Sequence, residues 1–115
     1  MNWLLLRLKI ASNGIKYAWH DSHVKYGVVL CSIAIIIEGI VRASLLGFLI
    51  LLTLAIMSIC FEVINSSVER LCDLVHSEYN ERVKMVKDTF SVVPIISHSV
   101  FTIVWIILLC IPNIP

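Results

Sequence analysis

The feature that most constrains this chain is an unbroken run of apolar residues in its middle. Residues 44–61, SLLGFLILLTLAIMSICF, carry no charged side chain. With the helix continuing to about residue 66, the run reaches the roughly 20 residues that an α-helix needs to cross about 30 Å of hydrocarbon. Lipid offers the backbone no hydrogen-bond partners, so a segment of this kind must fold as a helix. The run therefore predicts a membrane-spanning helix.

Two further segments have the same character. Residues 91–111 form a second uncharged run, with Pro94 expected in the first turn of the span, where its missing N–H costs little. The run from Tyr26 to Ile37 is uncharged for only 12 residues, so Lys25 and the Glu38/Arg42 end must extend toward the two interfaces. We therefore predict an all-α integral membrane protein with spans at about 24–41, 44–66 and 91–111.

Composition supports this class and excludes others. Of the 115 residues, 59% are hydrophobic and 15% charged, and the mean hydropathy is +0.95, well outside the range of soluble domains. A water-soluble enzyme is excluded. The net charge of +1 leaves no basic excess for binding nucleic acid. Residues 1–115 are expected to form one membrane-embedded domain.

The remaining segments are amphipathic. Residues 3–20 mix leucine and tryptophan with Arg7, Lys9 and Lys16, which is typical of a helix lying in the membrane surface. Residues 67–90 hold more than half of the charged side chains, yet keep apolar residues at helical intervals on both sides of a predicted turn near Ser77 to Asn80. Lysine and arginine number four before the first span, one after it, four between the second and third spans, and none after the third. The positive-inside rule then predicts a cytoplasmic N-terminus, a cytoplasmic 67–90 segment and an outside C-terminus.

One polar stripe starts inside the second span. On a helix, Glu62, Asn65, Ser66, Glu69 and Asp73 fall within an arc of about 100°. An ionisable side chain at such a depth is costly and points to function. Because a lone subunit would leave Asn65, Ser66 and Glu69 against lipid, we expect the surface helix and Asp21 of a neighbouring copy to cover them.

The same residues carry a family resemblance. Glu62-Val-Ile-Asn-Ser-Ser-Val-Glu69, then Asp73, Ser77-Glu78-Tyr79 and Lys87-Asp88, resemble the signature of the prokaryotic diacylglycerol kinase family, which includes undecaprenol kinases. Upstream, Ala11-x-x-Gly14-Ile-Lys-Tyr-Ala18 resembles the family's surface-helix segment. The resemblance implies a homotrimer in the bacterial inner membrane. It also implies transfer of the γ-phosphate of MgATP to a lipid hydroxyl at the cytoplasmic interface, with sites built between subunits.

The resemblance also implies roles for individual residues. Glu62 matches the family's general base, and Glu69 matches a ligand of Mg²⁺. The residues implied in nucleotide binding are Glu78, Tyr79, Asn80, Lys87, Asp88 and Asn65. The chemistry is consistent with these roles, because Mg²⁺ needs only one or two carboxylates besides phosphate oxygens. The chain has neither a Walker A motif nor a kinase glycine-rich loop, so side chains and metal must position the phosphates.

The chain departs from the family pattern at the second metal carboxylate. The family has a glutamate just before the first span, where this chain reads Ala18-Trp-His-Asp21-Ser22-His-Val-Lys25. Counting back from Glu62 places Asp21 at that position, whereas counting forward from Gly14 places Ser22 there. We prefer Asp21. The aspartate side chain is one methylene shorter than that of glutamate, so either the backbone lies closer to the metal or the metal is held less well. Reduced or lost activity is therefore kept as an alternative.

Three functional hypotheses follow. The Ser77-Glu78-Tyr79 stretch, without a following His-Pro, favours diacylglycerol as substrate, whereas Gly14-Ile-Lys-Tyr-Ala18 leans toward undecaprenol. The change to Asp21 favours a catalytically weakened or non-enzymatic membrane homologue. A small four-helix drug exporter also contains a buried glutamate, but the segment 69–88 is too charged to be one of its spans.

Other side chains have plainer interpretations. We expect His98 to form a hydrogen bond across helices, Glu38 and Arg42 to form a local ion pair, and His20 and His23 to be exposed at the interface. The four cysteines, which occur singly, are interpreted as small apolar fillers. The aromatic residues near the span ends are expected to anchor the chain at the interfaces; they are Trp3, Tyr17, Trp19 and Tyr26.

Overall fold

A computed structural model describes residues 2–41 and 44–111, which form four helices. They are α1 (Asn2–Trp19), α2 (Ser22–Val41), α3 (Leu45–Val75) and α4 (Glu81–Cys110). The last three are long and apolar enough to cross a membrane. The all-α class and the three predicted spans are thus confirmed. Arg42, with its expected ion pair to Glu38, and Pro112 and Pro115, expected to end the last helix, lie outside the described residues.

The second and third spans belong to helices much longer than a bilayer requires. α3 has 31 residues and α4 has 30, so each is about 45 Å long at 1.5 Å per residue. Their charged ends account for the 67–90 segment, and residues 76–80 form the turn between them, as predicted. The expectation that Pro94 occupies a first turn is wrong, because α4 begins thirteen residues earlier and runs through the proline.

Three of the helices begin with a polar side chain that caps the first backbone N–H groups. Ser44 Oγ accepts from the amide of Gly47 at 3.2 Å, and Asn80 Oδ1 accepts from the amides of Arg82 and Val83 at 2.9 and 3.2 Å. Asp21 Oδ1 accepts from the amide of His23 at 2.8 Å, directly before α2. These caps satisfy donors that have no partner within the helix. They fix where each helix starts.

The bundle is built around α3, against which both α2 and α4 pack. Its apolar core lies in the half of the bundle that contains the start of α3 and the end of α4. The core is formed by Cys31, Ala34, Leu51, Ala55, Phe101 and Leu108. Small residues permit the close approach of the helices: a Cβ added at Gly47 would lie 3.2 Å from Leu108 Cδ2. Cys31 is a filler as expected, whereas Cys60 and Cys110 are exposed.

The helix α1 packs only lightly on the rest of the chain. None of its residues is buried, and Trp3, Tyr17 and Trp19 are exposed, as expected of surface anchors. It is tied to α3 where the Arg70 guanidinium donates to the carbonyl oxygen of Tyr17 at 2.7 Å. The described chain is only 18 Å thick, less than two helix diameters. Much of its apolar surface is therefore exposed in a single copy.

Candidate functional site

Glu62 lies at the junction of α2, α3 and α4. Its Oε1 is 3.0 Å from Nε2 of His98 on α4. The side chains of Glu62 and His98 are 14% and 31% exposed. On the third side is Gly27 of α2, where an added Cβ would lie 3.6 Å from His98 Cε1 and 3.8 Å from Glu62 Cγ. The expected cross-helix hydrogen bond of His98 is confirmed, and its partner is the candidate base itself.

One turn further along α3, Ser66 joins the polar stripe to the start of α2. Ser66 Oγ donates to Asp21 Oδ2 at 2.7 Å, while Asp21 Oδ1 takes the amide of His23. Burial alone would raise the pKa of the Asp21 carboxyl group. The hydrogen bonds from Ser66 and from the amides of His23 and Val24 outweigh burial, and the pKa falls below its ordinary value. Asp21 is thus held as a carboxylate at neutral pH.

The polar stripe is mostly covered by the chain itself. Asn65 is 7% and Ser66 4% exposed. The expectation that a lone subunit leaves these two side chains against lipid is therefore wrong. The sequence argument considered α3 alone, whereas the N-terminus of α2 and the middle of α4 fold back onto it and supply Asp21 and His98.

Two side chains of the polar stripe, Asn65 and Glu69, contact each other on α3. Asn65 Nδ2 donates to Glu69 Oε1 at 3.4 Å. Asn65 Oδ1 is buried and has no hydrogen-bond partner among the described residues. A buried acceptor without a donor is rare. The Asn65 amide N–H group faces Glu69, so it is the carboxylate of Glu69, a hard oxygen donor, that fits a magnesium ion with phosphate oxygens as its other ligands.

The structure does not by itself assemble a complete metal cage. Within residues 2–41 and 44–111 there is no group of three or more His, Cys, Asp or Glu side chains arranged to hold an ion. Asp21 contacts Ser66, which is three residues before Glu69 and so about 4.5 Å from it along the helix axis. The donor set is therefore sparse, as in sites where Mg²⁺ arrives with a nucleotide.

A concave surface lies beyond the Asp73 end of the polar stripe. It is a depression of about 350 Å³ between the end of α3 and the start of α4. It is lined by Asp73, His76, Ser77, Glu78, Tyr79, Asn80, Val83, Lys84, Lys87 and Asp88. Five of the six residues implied in nucleotide binding thus come together here, and Asn65 does not join them. Glu78 and Tyr79 are exposed.

Ion pairs arrange the charged rim of this depression. The Lys87 ammonium donates to the carboxylate of Asp73 across the two helices, and Lys84 pairs with Asp88 at 2.6 Å on α4. Both lysines remain in or near solvent, so each pair is weak and exchanges readily. The charged side chains that line the depression are three carboxylates, of Asp73, Glu78 and Asp88, and two ammonium groups, of Lys84 and Lys87.

An apolar groove of about 370 Å³ opens beside the Glu62 and His98 pair. Its polar end is formed by His23, Glu62 and His98. The rest is formed by Tyr26, Gly27, Leu30, Cys31, Ile33, Ala34, Phe101, Thr102 and Trp105. Tyr26 and Leu30 are well exposed, so the groove is open on the side of the bundle. The indole N–H of Trp105 is buried and has no acceptor in the described chain. The carboxylate of Glu62 therefore lies at the polar end of a largely apolar groove.

Sequence reasoning did not foresee this groove. Gly27 and Trp105 carry no chemical signal of their own, and Tyr26 was interpreted only as an interfacial anchor. The available signal was His98, a titratable ring inside an otherwise apolar span. Its distance from Glu62 in sequence, 36 residues, hides their contact.

Comparisons with known proteins identify the family of this chain. Residues 9–109 match the family model of prokaryotic diacylglycerol kinase. A diacylglycerol kinase of Helicobacter pylori strain 26695 is 27% identical over 103 residues, which cover 89% of this chain and 80% of that protein. The diacylglycerol kinase of strain J99 is 26% identical over the same shares. This chain therefore belongs to the prokaryotic diacylglycerol kinase family.

Proposed function

We propose that this protein is an ATP-dependent lipid kinase that phosphorylates diacylglycerol to give phosphatidic acid. The observation that carries the proposal is the position of Glu62. Its carboxylate lies between an apolar groove open to the side of the bundle and a polar stripe that leads along α3 to a charged depression containing Lys84 and Lys87. A lipid hydroxyl and a nucleotide phosphate would approach this carboxylate from opposite ends.

The reaction follows from these two approaches. The lipid hydroxyl oxygen attacks the γ-phosphorus, and the bond from that phosphorus to the β,γ-bridging oxygen breaks, so that ADP leaves. Glu62 accepts the hydroxyl proton as the new oxygen–phosphorus bond forms. A positioned base contributes about 10²–10⁴-fold in rate. Most of the remaining acceleration in phosphoryl transfer comes from positioning and charge stabilisation.

Binding of the nucleotide depends on residues near the end of α3 and the start of α4. Lys87 and Lys84 offer charge to phosphates in the depression. Glu69 is about 10 Å from Glu62 along α3 at 1.5 Å per residue, between the depression and the base. Glu69 and Asp21 are the residues that would hold Mg²⁺, which when bound neutralises phosphate charge. The site is expected at the cytoplasmic face, since that is where ATP is available.

The choice of lipid is tested with purified protein in detergent micelles. Diacylglycerol and undecaprenol are supplied in parallel at equal mole fraction with MgATP, and phosphorylated lipid is measured. The proposal predicts phosphatidic acid as the faster product. Preferential phosphorylation of undecaprenol would overturn the substrate, and no phosphorylated lipid in either arm would favour a non-enzymatic membrane homologue.

A further inference from the structure

The site contains a contact to which the family resemblance assigns no role. His98 is at the centre of α4, inside the apolar span, and its Nε2 is 3.0 Å from Oε1 of Glu62. The ring is held between α2 and α3, with its Cε1 within van der Waals reach of the position that a Cβ at Gly27 would occupy. An imidazole in an apolar span is costly unless it is hydrogen-bonded.

The surroundings leave few other polar partners for this pair. The titratable groups that line the same groove are His23 and Tyr26 at its mouth and Cys31 deeper inside, all on α2. Among the groove-lining residues, α4 contributes one titratable group, His98, and α3 contributes one, Glu62. Among the described residues, the side chain of Glu62 forms a hydrogen bond with His98 and none with His23 or Tyr26.

We propose that His98 is a positioning residue for the base: its Nε2–H fixes Oε1 of Glu62, so that Oε2 is presented to the lipid hydroxyl in the groove. The inference deepens the proposed function and rests on it. A carboxylate has only acceptors, so the shared proton must be on Nε2 of the imidazole. The contact thus also determines the tautomer or charge state of His98.

The physical gain is orientation. A glutamate side chain has three rotatable bonds, and without a partner its carboxylate would sample several rotamers at the edge of a groove. Catalysis by a base depends steeply on its placement, and a displacement of about 1 Å can cost about 10²-fold in rate. The imidazole also lies beside Gly27 of α2, with Cε1 3.6 Å from the position that a Cβ would occupy, so the hydrogen bond to Glu62 forms where α2, α3 and α4 meet.

The first test compares two substitutions at His98 by steady-state kinetics with diacylglycerol and MgATP. His98→Ala removes the donor and is expected to lower kcat by about 10- to 100-fold while the KM values for both substrates change less than threefold. His98→Gln keeps an N–H donor at similar reach, and we expect it to restore kcat to within about threefold of the parent protein.

Ser99→Ala is the matched control, because Ser99 is the next residue on α4, is exposed, and donates only to the carbonyl of Ile95. Its kinetics should equal those of the parent protein. Unchanged kcat in His98→Ala would overturn the proposal. Equal losses in His98→Ala and His98→Gln, with both variants folded, would also overturn it and would assign proton transfer to the imidazole instead.

The second test does not depend on activity. In ¹⁵N-histidine-labelled protein in micelles, the Nε2 resonance of His98, assigned by its absence in His98→Gln, should show a protonated, hydrogen-bonded nitrogen. The resonance should shift in Glu62→Gln and stay unchanged in Ser99→Ala. A His98 signal that is insensitive to Glu62→Gln would contradict the contact. An inactive parent protein with a sensitive signal would instead count against the proposed function alone.

Discussion

At the residue scale, Asp21 combines two tasks. One carboxylate oxygen caps α2 through the amide of His23, and the other accepts from Ser66 on α3. Each oxygen keeps a second lone pair, so the carboxylate can hold these bonds and still serve as a metal ligand. Asparagine caps a helix about as well as aspartate but lacks the negative charge. Capping of α2 and binding of a metal can therefore be separated by one substitution.

We predict that Asp21→Asn leaves stability nearly unchanged but raises the Mg²⁺ concentration needed for half-maximal lipid phosphorylation by roughly tenfold, a loss of about 1.4 kcal/mol in metal affinity. Magnesium titration of activity and a denaturation midpoint in mixed micelles check the two halves. Asp21→Ala is the comparison variant, which should lose the cap as well, at about 1 kcal/mol. An unchanged Mg²⁺ requirement in Asp21→Asn, together with higher activity in Ser22→Glu, would assign the metal position to residue 22.

The sequence predicted some of these residues better than others. Glu62, Ser66 and Glu69 were found because helical spacing places them on one stripe, and that spacing is a local property. The contacts of Asp21 with Ser66 and of His98 with Glu62 join residues 45 and 36 positions apart. Such contacts depend on how helices pack, which no local pattern contains. Asn65 lies beside Glu69, as its spacing on the stripe predicts, and not in the depression that the other residues implied in nucleotide binding line.

At the scale of elements, the turn between α3 and α4 depends on Asn80. Its side-chain oxygen caps α4 through two amides, and the residue also lines the depression. The charged segment at 67–90 was predicted as helix, turn and helix because its apolar residues keep helical spacing. The interior position of Pro94 was missed, since a proline in sequence usually signals a helix boundary rather than continuation.

The capping role of Asn80 and its proposed role in nucleotide binding predict different effects of substitution. Asn80→Ala should lower the free energy of unfolding by about 1 kcal/mol, because α4 loses its N-cap. Asn80→Asp keeps the cap, so its unfolding midpoint should match the parent protein, while its added negative charge beside the phosphates should raise the KM for MgATP several-fold. Denaturant unfolding and ATP titration measure the two effects. Equal destabilisation by both substitutions would show that capping is not what this side chain contributes.

At the scale of the whole molecule, the chain is a thin layer of helices with wide apolar faces. Lipid or further copies must cover these faces, and a homotrimer remains our prediction. The sequence led us to expect Asp21 from a neighbouring subunit at each site. Asp21 contacts Ser66 of its own chain instead, so we now expect the base and the metal carboxylate to come from one subunit.

Mixing of inactive variants tests this arrangement. Glu62→Gln and Asp21→Ala proteins are refolded together, mixed trimers are verified by differential tagging, and lipid phosphorylation is measured. If base and carboxylate belong to one chain, every chain in the mixture lacks one of them, and activity should stay at the level of the separate variants. Recovery to a substantial fraction of parent activity would show that Asp21 serves a neighbouring subunit's site.

The central claim, that this bundle is a lipid kinase with Glu62 as its base, is tested most directly by one comparison. Phosphatidic acid formation from diacylglycerol and MgATP is measured for the parent protein and for Glu62→Gln, with folding and nucleotide binding checked in both. The account predicts product from the parent protein and a rate lower by about 10²–10⁴-fold in the variant. Equal rates at saturating MgATP, or no product from the folded parent protein, would contradict it.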